Sequence, residues 1–258
     1  MAMIHSSAII HPGAKIAAGV EVGPFSIIGE HVEIGEGTVV ASHCVIKGRT
    51  RIGRENRIFQ FASLGEIPQD KKYAGEPTSL EIGDRNSIRE YCNFNIGTAQ
   101  DAGVTRIGND NWFMAGVHIG HDCQVGNNTI MANNVTLGGH VHVGDFAILG
   151  GMAAVHQFAI IGAHSMAGGG SIITQDIPPF VMCSGNPVAP HGVNSEGLRR
   201  RGFSAEAITQ IKRAYKAMYR QNLSLEEARA SIAVASAETP ELQVMLDFFA
   251  ASTRGIIR

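Results

Sequence analysis

Aromatic residues make up only 6% of the chain, with a single tryptophan, and no long uninterrupted apolar run occurs in its 258 residues. The missing apolar run, with Ile4 already beginning the pattern described below, leads to the expectation of neither a membrane-spanning helix nor a secretory leader. Formal net charge is −2, so there is no basic field for nucleic acid. The four cysteines, Cys44, Cys92, Cys123 and Cys183, form no CxxC pair. Cys44 and Cys123 fall at slots kept for small residues and read as small buried side chains in a reducing compartment. The expectation is a cytoplasmic protein with no bound metal and no membrane insertion. Glycine, by contrast, is abundant, at 31 residues. Many glycines with few aromatics fit a coiled β-structure with tight corners and a narrow interior filled by Val, Ile and Ala.

A six-residue period carries that structure. An aliphatic residue, Phe or Met recurs at Ile107, Phe113, Ile119, Val125, Met131, Leu137, Val143, Leu149, Val155 and Ile161, often with Gly next. An earlier block runs Ile4, Ile10, Ile16, Val22, Ile28, Ile34, Val40, Ile46, Ile52, Ile58, Leu64. This period predicts a mainly β fold, a parallel β-helix of hexapeptide repeats with its aliphatic side chains inside. Each coil buries its neighbour's face, so stability is close to a nearest-neighbour sum. With three hexads per coil, residues eighteen apart stack, and adjacent coils pair ~4.8 Å apart. The usual crossover rule would make the winding right-handed.

The register breaks twice. Residues 65–79 carry prolines, glycines and charges that no coil accommodates, and read as an external loop; residues 99–105 read as a second, shorter one. Loops on a rigid scaffold often carry function. Pro178, Pro179, Pro187 and Pro190 end the solenoid, giving a β-helix over residues 1–190 and a C-terminal α-helical domain over 191–258. There, Ser204 caps a helix whose apolar face is Ile208, Ile211, Ala214, Tyr215 and Met218. Ser224 and Glu227 form a capping box, and a third helix from Pro240 presents Leu242, Met245, Leu246 and Phe249. These helices would cover the open end of the prism.

The histidines supply the site candidate. Ile119, Leu137 and Val155 are spaced by eighteen, and His121, His140 and His156 follow them, with His118 beside His121. The spacing predicts one column of four imidazoles along one corner. Such a column reads as a general base, since imidazole titrates near pH 6.5 and can take a proton from a sugar hydroxyl. It also reads as a zinc site, or as a corner that is merely polar; four aligned rings favour the base. Asp122 would bias the His121 tautomer or fill a turn. Gly139 would offer a backbone N–H to an oxyanion or turn a corner. The run Asn194-Ser195-Glu196-Gly197-Leu198-Arg199-Arg200-Arg201 suggests phosphate recognition or a solvated basic face.

Several stretches carry a more specific likeness: Gln60-Phe61-Ala62-Ser63, Gln69-Asp70-Lys71-Lys72-Tyr73, His118-Ile119-Gly120-His121-Asp122-Cys123, Val155-His156-Gln157-Phe158, Gly185-Asn186-Pro187, Asn194 through Phe203, and Arg254-Gly255-Ile256-Ile257-Arg258. Together they resemble the acyl-[acyl-carrier-protein]–UDP-N-acetylglucosamine O-acyltransferase family, which opens lipid A biosynthesis, and the resemblance spans the whole chain. It implies left-handed winding, an exception to the crossover rule, and a homotrimer with sites in clefts between prisms. It implies transfer of an (R)-3-hydroxyacyl chain from acyl carrier protein to the glucosamine 3-hydroxyl of UDP-N-acetylglucosamine. No cofactor is implied beyond the carrier's phosphopantetheine. In that reading His121 is the general base and the Gly139 N–H holds the oxyanion. His118, His140, His156 and Gln157 position the sugar and its phosphates. Asp70 and Lys72 reach from the loop to the 3-hydroxyacyl group and the glucosamine. Asn194, Glu196 and Arg201 look like nucleotide and phosphate contacts, and Arg200 like a contact to the pantetheine phosphate or carrier. Gly169 matches the acyl-chain ruler, and an open Gly168-Gly169-Gly170 implies a long chain.

The chain departs from the family pattern at Phe94-Asn95-Ile96-Gly97-Thr98, where many members carry His-Arg-Gly-Thr, at Gly138 in place of Ala, and at Pro187 in place of His. The competing readings are the related hexapeptide N-acyltransferase, a coenzyme-A-dependent acetyltransferase, a zinc-dependent carbonic-anhydrase-like protein and a structural scaffold. The sequence leaves open the acyl length to the carbon and a 3-amino analogue of the sugar.

Overall fold

In a computed structural model covering residues 1–258, most hexads become a two-residue strand followed by a four-residue turn. The strands stack into three sheets of 11, 9 and 8 strands that form the sides of a triangular prism. The winding is that of a left-handed parallel β-helix. Ile119 pairs with Leu137 and Leu137 with Val155, so the eighteen-residue stacking holds. Ile28, Ile46, Leu64, Phe94, Ile119 and Leu137 form one internal column in the second sheet, all fully buried. Burying each such side chain contributes about 1.5–3 kcal/mol. All four cysteines are buried and free.

The corners hold a residue in the left-handed backbone region, and many of these are not glycine. Phe25, His43, Phe61 and Tyr91 have φ of 59°, 58°, 65° and 60°. That conformation costs a bulky L-residue roughly 1–2 kcal/mol. Here the cost is offset because successive corners align and the rings pack, with centroids 5.1, 5.3 and 5.2 Å apart.

The outer faces change along the prism. The third sheet presents Lys15, Glu33, Glu81 and Arg106, paired as Lys15–Glu33 and Arg106–Glu81. The first sheet presents Trp112, Ile130, Ile148, Met166 and Met182 on successive coils, with Trp112 and Met182 exposed.

The last strand, Ala189–Val193, folds back antiparallel on Val181–Ser184, so β-structure runs to Val193. Helices α1 (Ser195–Arg200), α2 (Ala205–Tyr219), α3 (Leu225–Ser236) and α4 (Gln243–Ala251) follow. Ser204 caps α2, and Ser224 with Glu227 forms the capping box of α3. Pro240 opens a 3-10 turn through Leu242, so the last α-helix begins at Gln243 rather than at the proline. The buried carboxyl of Asp176 accepts hydrogen bonds from the Ile160 N–H (2.8 Å) and the Ser252 hydroxyl (2.6 Å), tying the helical domain to the last coils. Ile256 and Ile257 are buried beside it, which gives the terminal motif a structural role. No helix is long and apolar enough to cross a membrane.

A second ring column, Phe146–His164–Phe180, has centroids 4.8 and 5.5 Å apart. Burial, and then the charge of Arg201, lowers the His164 pKa from 6.5 to about 4. The unfolded chain therefore takes up a proton near pH 6.5 and the folded chain only near 4, so stability is lost as pH falls through that window. Melting temperature should drop between pH 6.5 and 4, and His164→Phe, which continues the stack, should remove that part of the slope. An unchanged slope in the variant would assign the acid sensitivity to other groups.

Candidate functional site

Both insertions leave strands of the second sheet, Ser63–Glu66 and Asn93–Asn95, and enter strands of the third, Ser79–Ile82 and Val104–Ile107. The turn after Ile119 joins the same two sheets. The loops and the histidines therefore share one corner of the prism. Asn95, buried, anchors the first loop by donating to the Ile67 carbonyl at 3.0 Å.

The four imidazoles do not form a single column, which corrects the expectation from spacing. From the paired strands, the residue stacked on His121 is Gly139, and His140 stacks between Asp122 and Phe158. His156 falls in register with Gly138. The three histidines sit one, two and three residues after their strands, so each has its own direction. His121 and His140 meet edge to face at 5.0 Å, and His140 lies flat on Phe158 at 4.4 Å. His156 and Gln157 are exposed, with the His156 ring near the Gln157 carbonyl at 3.1 Å. His118 stands on the outer face of the second sheet, its Nδ1 2.8 Å from Asn93 Oδ1. Burial lowers its pKa, with the neighbouring His121 adding to the effect, so the ring is neutral at neutral pH.

Asp122 organises the corner. Its side chain is fully buried, with an oxygen 2.8 Å from His121 Nδ1. It accepts further hydrogen bonds from the Thr98 N–H at 2.9 Å and the Thr98 hydroxyl at 2.7 Å. Burial alone would raise its pKa; the bonds from His121 and Thr98 outweigh that and hold it below the ordinary carboxylate value. An ionised carboxylate only accepts, so Nδ1 of His121 carries the hydrogen and Nε2 keeps its lone pair. The Gly139 N–H makes no hydrogen bond within the chain. A Cβ on Gly139 would lie 2.6 Å from Cε1 and Nε2 of His121, so only glycine leaves that ring in place.

Sequence reasoning missed Thr98, Thr105, Asn93 and Asp101. Thr105 accepts the Asp122 N–H at 2.8 Å, and Asp101 lies 2.8 Å from His140 Nδ1. The separations from Thr98 to Asp122 and from Asn93 to His118 are 24 and 25 residues, because the second insertion lengthens that coil. Counting by eighteen cannot find them; counting by coil, from Phe94 to Ile119, would have found Asn93.

The comparisons with known proteins cover the whole chain. The family described as "Udp N-acetylglucosamine O-acyltransferase; Domain 2" matches residues 176–257, and bacterial transferase hexapeptide repeats match 13–48 and 105–139. The acyl-[acyl-carrier-protein]–UDP-N-acetylglucosamine O-acyltransferase of Thiobacillus denitrificans is 62% identical over 258 residues, all of both chains. The chain belongs to the UDP-N-acetylglucosamine O-acyltransferase family. Among solved structures, the UDP-N-acetylglucosamine O-acyltransferase of Moraxella catarrhalis superposes with a TM-score of 0.97 at 47% identity, over 99% of each chain. The Arabidopsis UDP-N-acetylglucosamine acyltransferase gives 0.84 at 34%, over 99% of this chain and 100% of its own.

The other positions named from the resemblance lie on the first loop, on a distant coil and around α1. Asp70 and Lys72 are on the first loop, where Asp70 accepts the Lys72 N–H at 3.0 Å and closes a turn. Gly169 lies at the corner between the first and second sheets, three coils beyond the His118–Ile119 strand. A Cβ there would meet the Gly151 carbonyl at 3.2 Å and otherwise point into open space. Asn194 caps α1 and donates to the His164 carbonyl at 3.2 Å. Glu196 pairs with Arg199 and Arg200 on the exposed face of α1. Arg201 lies over Phe146 at 5.1 Å with its buried Nη1 unpartnered, at the third corner. Asp70, Asn194, Glu196 and Arg200 thus have partners within the chain, while Arg201 donates through Nη2 to the Phe146 carbonyl at 3.2 Å and keeps Nη1 free.

Gly139→Ala should leave the β-helix intact, with an unchanged circular dichroism spectrum, yet displace the His121 ring. Acyl-transfer turnover should fall more than about tenfold, as for any misplacement of a reacting group by an ångström or so. Full turnover in a folded variant would separate the ring's position from the activity.

Proposed function

We propose that the protein transfers an (R)-3-hydroxyacyl chain from acyl carrier protein to the 3-hydroxyl of the glucosamine in UDP-N-acetylglucosamine, the reaction that opens lipid A biosynthesis, in the cytoplasm. The carrying observation is the His121–Asp122 pair, with a free Nε2 beside an unpaired Gly139 N–H, in a chain of this family. Nε2 takes the proton of the sugar hydroxyl as its oxygen attacks the thioester carbonyl. The carbonyl oxygen gains the negative charge and accepts from the Gly139 N–H. Collapse reforms the C=O and expels the phosphopantetheine thiolate, which recovers the proton from the imidazolium. Asp122 stays ionised throughout and steadies the charged ring.

His118, His140, His156 and Gln157 are read as contacts to the sugar and phosphates, and Asp70 and Lys72 as contacts to the acyl hydroxyl and glucosamine. Asn194, Glu196 and Arg201 are read as nucleotide contacts, and Arg200 as a contact to the carrier. A three-cornered prism holds the Arg201 and His121 corners apart, so a cleft using both takes them from neighbouring copies. This favours the homotrimer. The exposed arginines of α1 suit an acidic carrier. The three coils between His121 and Gly169 rise about 14 Å at ~4.8 Å each, room for a long acyl chain.

The same corner bears on the zinc reading, since His121, Asp122 and His140 offer ligand atoms within 4.8 Å of one another. Asp122 is already engaged by His121 and Thr98, which favours the base. Stoichiometric zinc in the purified, active protein would reverse that preference.

A transfer assay with a series of 3-hydroxyacyl carrier proteins tests the reading. Wild type should acylate UDP-N-acetylglucosamine, and His121→Ala should lose about two to four orders of magnitude while keeping its oligomeric state. Transfer only to the 3-amino sugar would change the product from ester to amide. In the same assay Gly169→Met should shift preference to shorter chains; an unchanged length profile would remove Gly169 as the ruler.

A further inference from the structure

The second insertion brings a carboxylate to the site that the mechanism above does not use. Asp101 reaches from its loop so that Oδ2 lies 2.8 Å from His140 Nδ1. The His140 ring is otherwise fixed by Phe158 beneath it and by the edge of His121 beside it. Its Nε2 lies 3.9 Å from Asp122 Oδ2, too far for a hydrogen bond. The corner thus holds two Asp–His pairs, Asp122–His121 and Asp101–His140, meeting at one buried carboxylate.

We infer that Asp101 is a positioning residue: it holds His140 with its hydrogen on Nδ1, so that Nε2 accepts a hydrogen bond from an O–H or N–H of the bound amino sugar. A carboxylate offers lone pairs only, so the nitrogen facing Asp101 must carry a proton. In the neutral ring the other nitrogen is then an acceptor. The facing oxygen of Asp122 is already taken up by His121 and Thr98, so Nε2 of His140 is the acceptor left open to a donor. A sugar hydroxyl or acetamide N–H supplies one; a phosphate oxygen does not. Asp101 also explains why the insertion sits at this corner: it brings a side chain to His140 from outside the eighteen-residue register, with no change to the coils.

The inference rests on the site reading above, and two measurements keep the failures apart. The first needs no substrate. Histidine side-chain nitrogen NMR of the wild type should show His140 as the Nδ1–H form, and Asp101→Ala should lose that bias. The opposite tautomer in the wild type would overturn the inference whatever the enzyme acylates. The second is kinetic. Asp101→Ala should raise KM for UDP-N-acetylglucosamine about tenfold, the effect of one lost hydrogen bond, with kcat and the KM for the acyl carrier changed much less. In a His140→Ala background the same substitution should add nothing to the KM. An additive effect there, or a loss of thermal stability with KM and tautomer unchanged, would make Asp101 a loop anchor and sink the proposal. Absence of transfer by the wild type would instead condemn the site reading and leave the tautomer result standing.

Discussion

Every coil is held to the next by parallel backbone hydrogen bonds that fix residues of equivalent coil position side by side. Leu137 can lie only next to Ile119 and Val155, because a slip by one residue would turn each inward side chain out. The internal column, the ring stacks at the corners and the placement of both loops follow from that registration. It also limits how a site can be built. A turn of four residues offers few directions, and a side chain at one turn position points differently from its neighbours.

The candidate site uses this limit. His121 and Gly139 are stacked partners, so the ring lies where the coil above has no side chain. Asp122 and His140 are stacked partners too, and both take the left-handed corner conformation. Two adjacent turns therefore supply base, orienting carboxylate, backbone donor and a second imidazole from a handful of residues. The buried carboxylate is kept ionised chiefly by the hydrogen bonds it accepts from His121 and Thr98.

Much of this was readable in the sequence. The hexad column from Ile107 to Ile161 identified the prism, and Ser204, Ser224 and Glu227 marked two helices by their capping chemistry. The histidines were found, but their arrangement was not. Spacing by eighteen gives the corner, whereas ring direction depends on position within the turn, and His121, His140 and His156 occupy three positions. Thr98 and Asp101 were illegible for another reason: one precedes the second insertion and the other sits on it, so residue number no longer measures their height along the axis. In the sequence the short helix after Asn194 reads only as an arginine run, because fewer than two turns carry too little periodicity to declare themselves.

The two insertions show what kinds of length change this architecture admits. Ile52 pairs with Ile82 across thirty residues, and the coils on either side resume their phase as though nothing intervened. A bulge at a corner is angularly silent. Loss or gain of one hexad is not: it would rotate everything downstream by a third of a turn, carrying Gly169 and the arginines to the wrong side of the prism relative to His121. Eighteen residues would change only height. Lineages of this fold should therefore drift freely in corner length, rarely in whole coils, and almost never by a single hexad, so that angular phase is inherited more strictly than length.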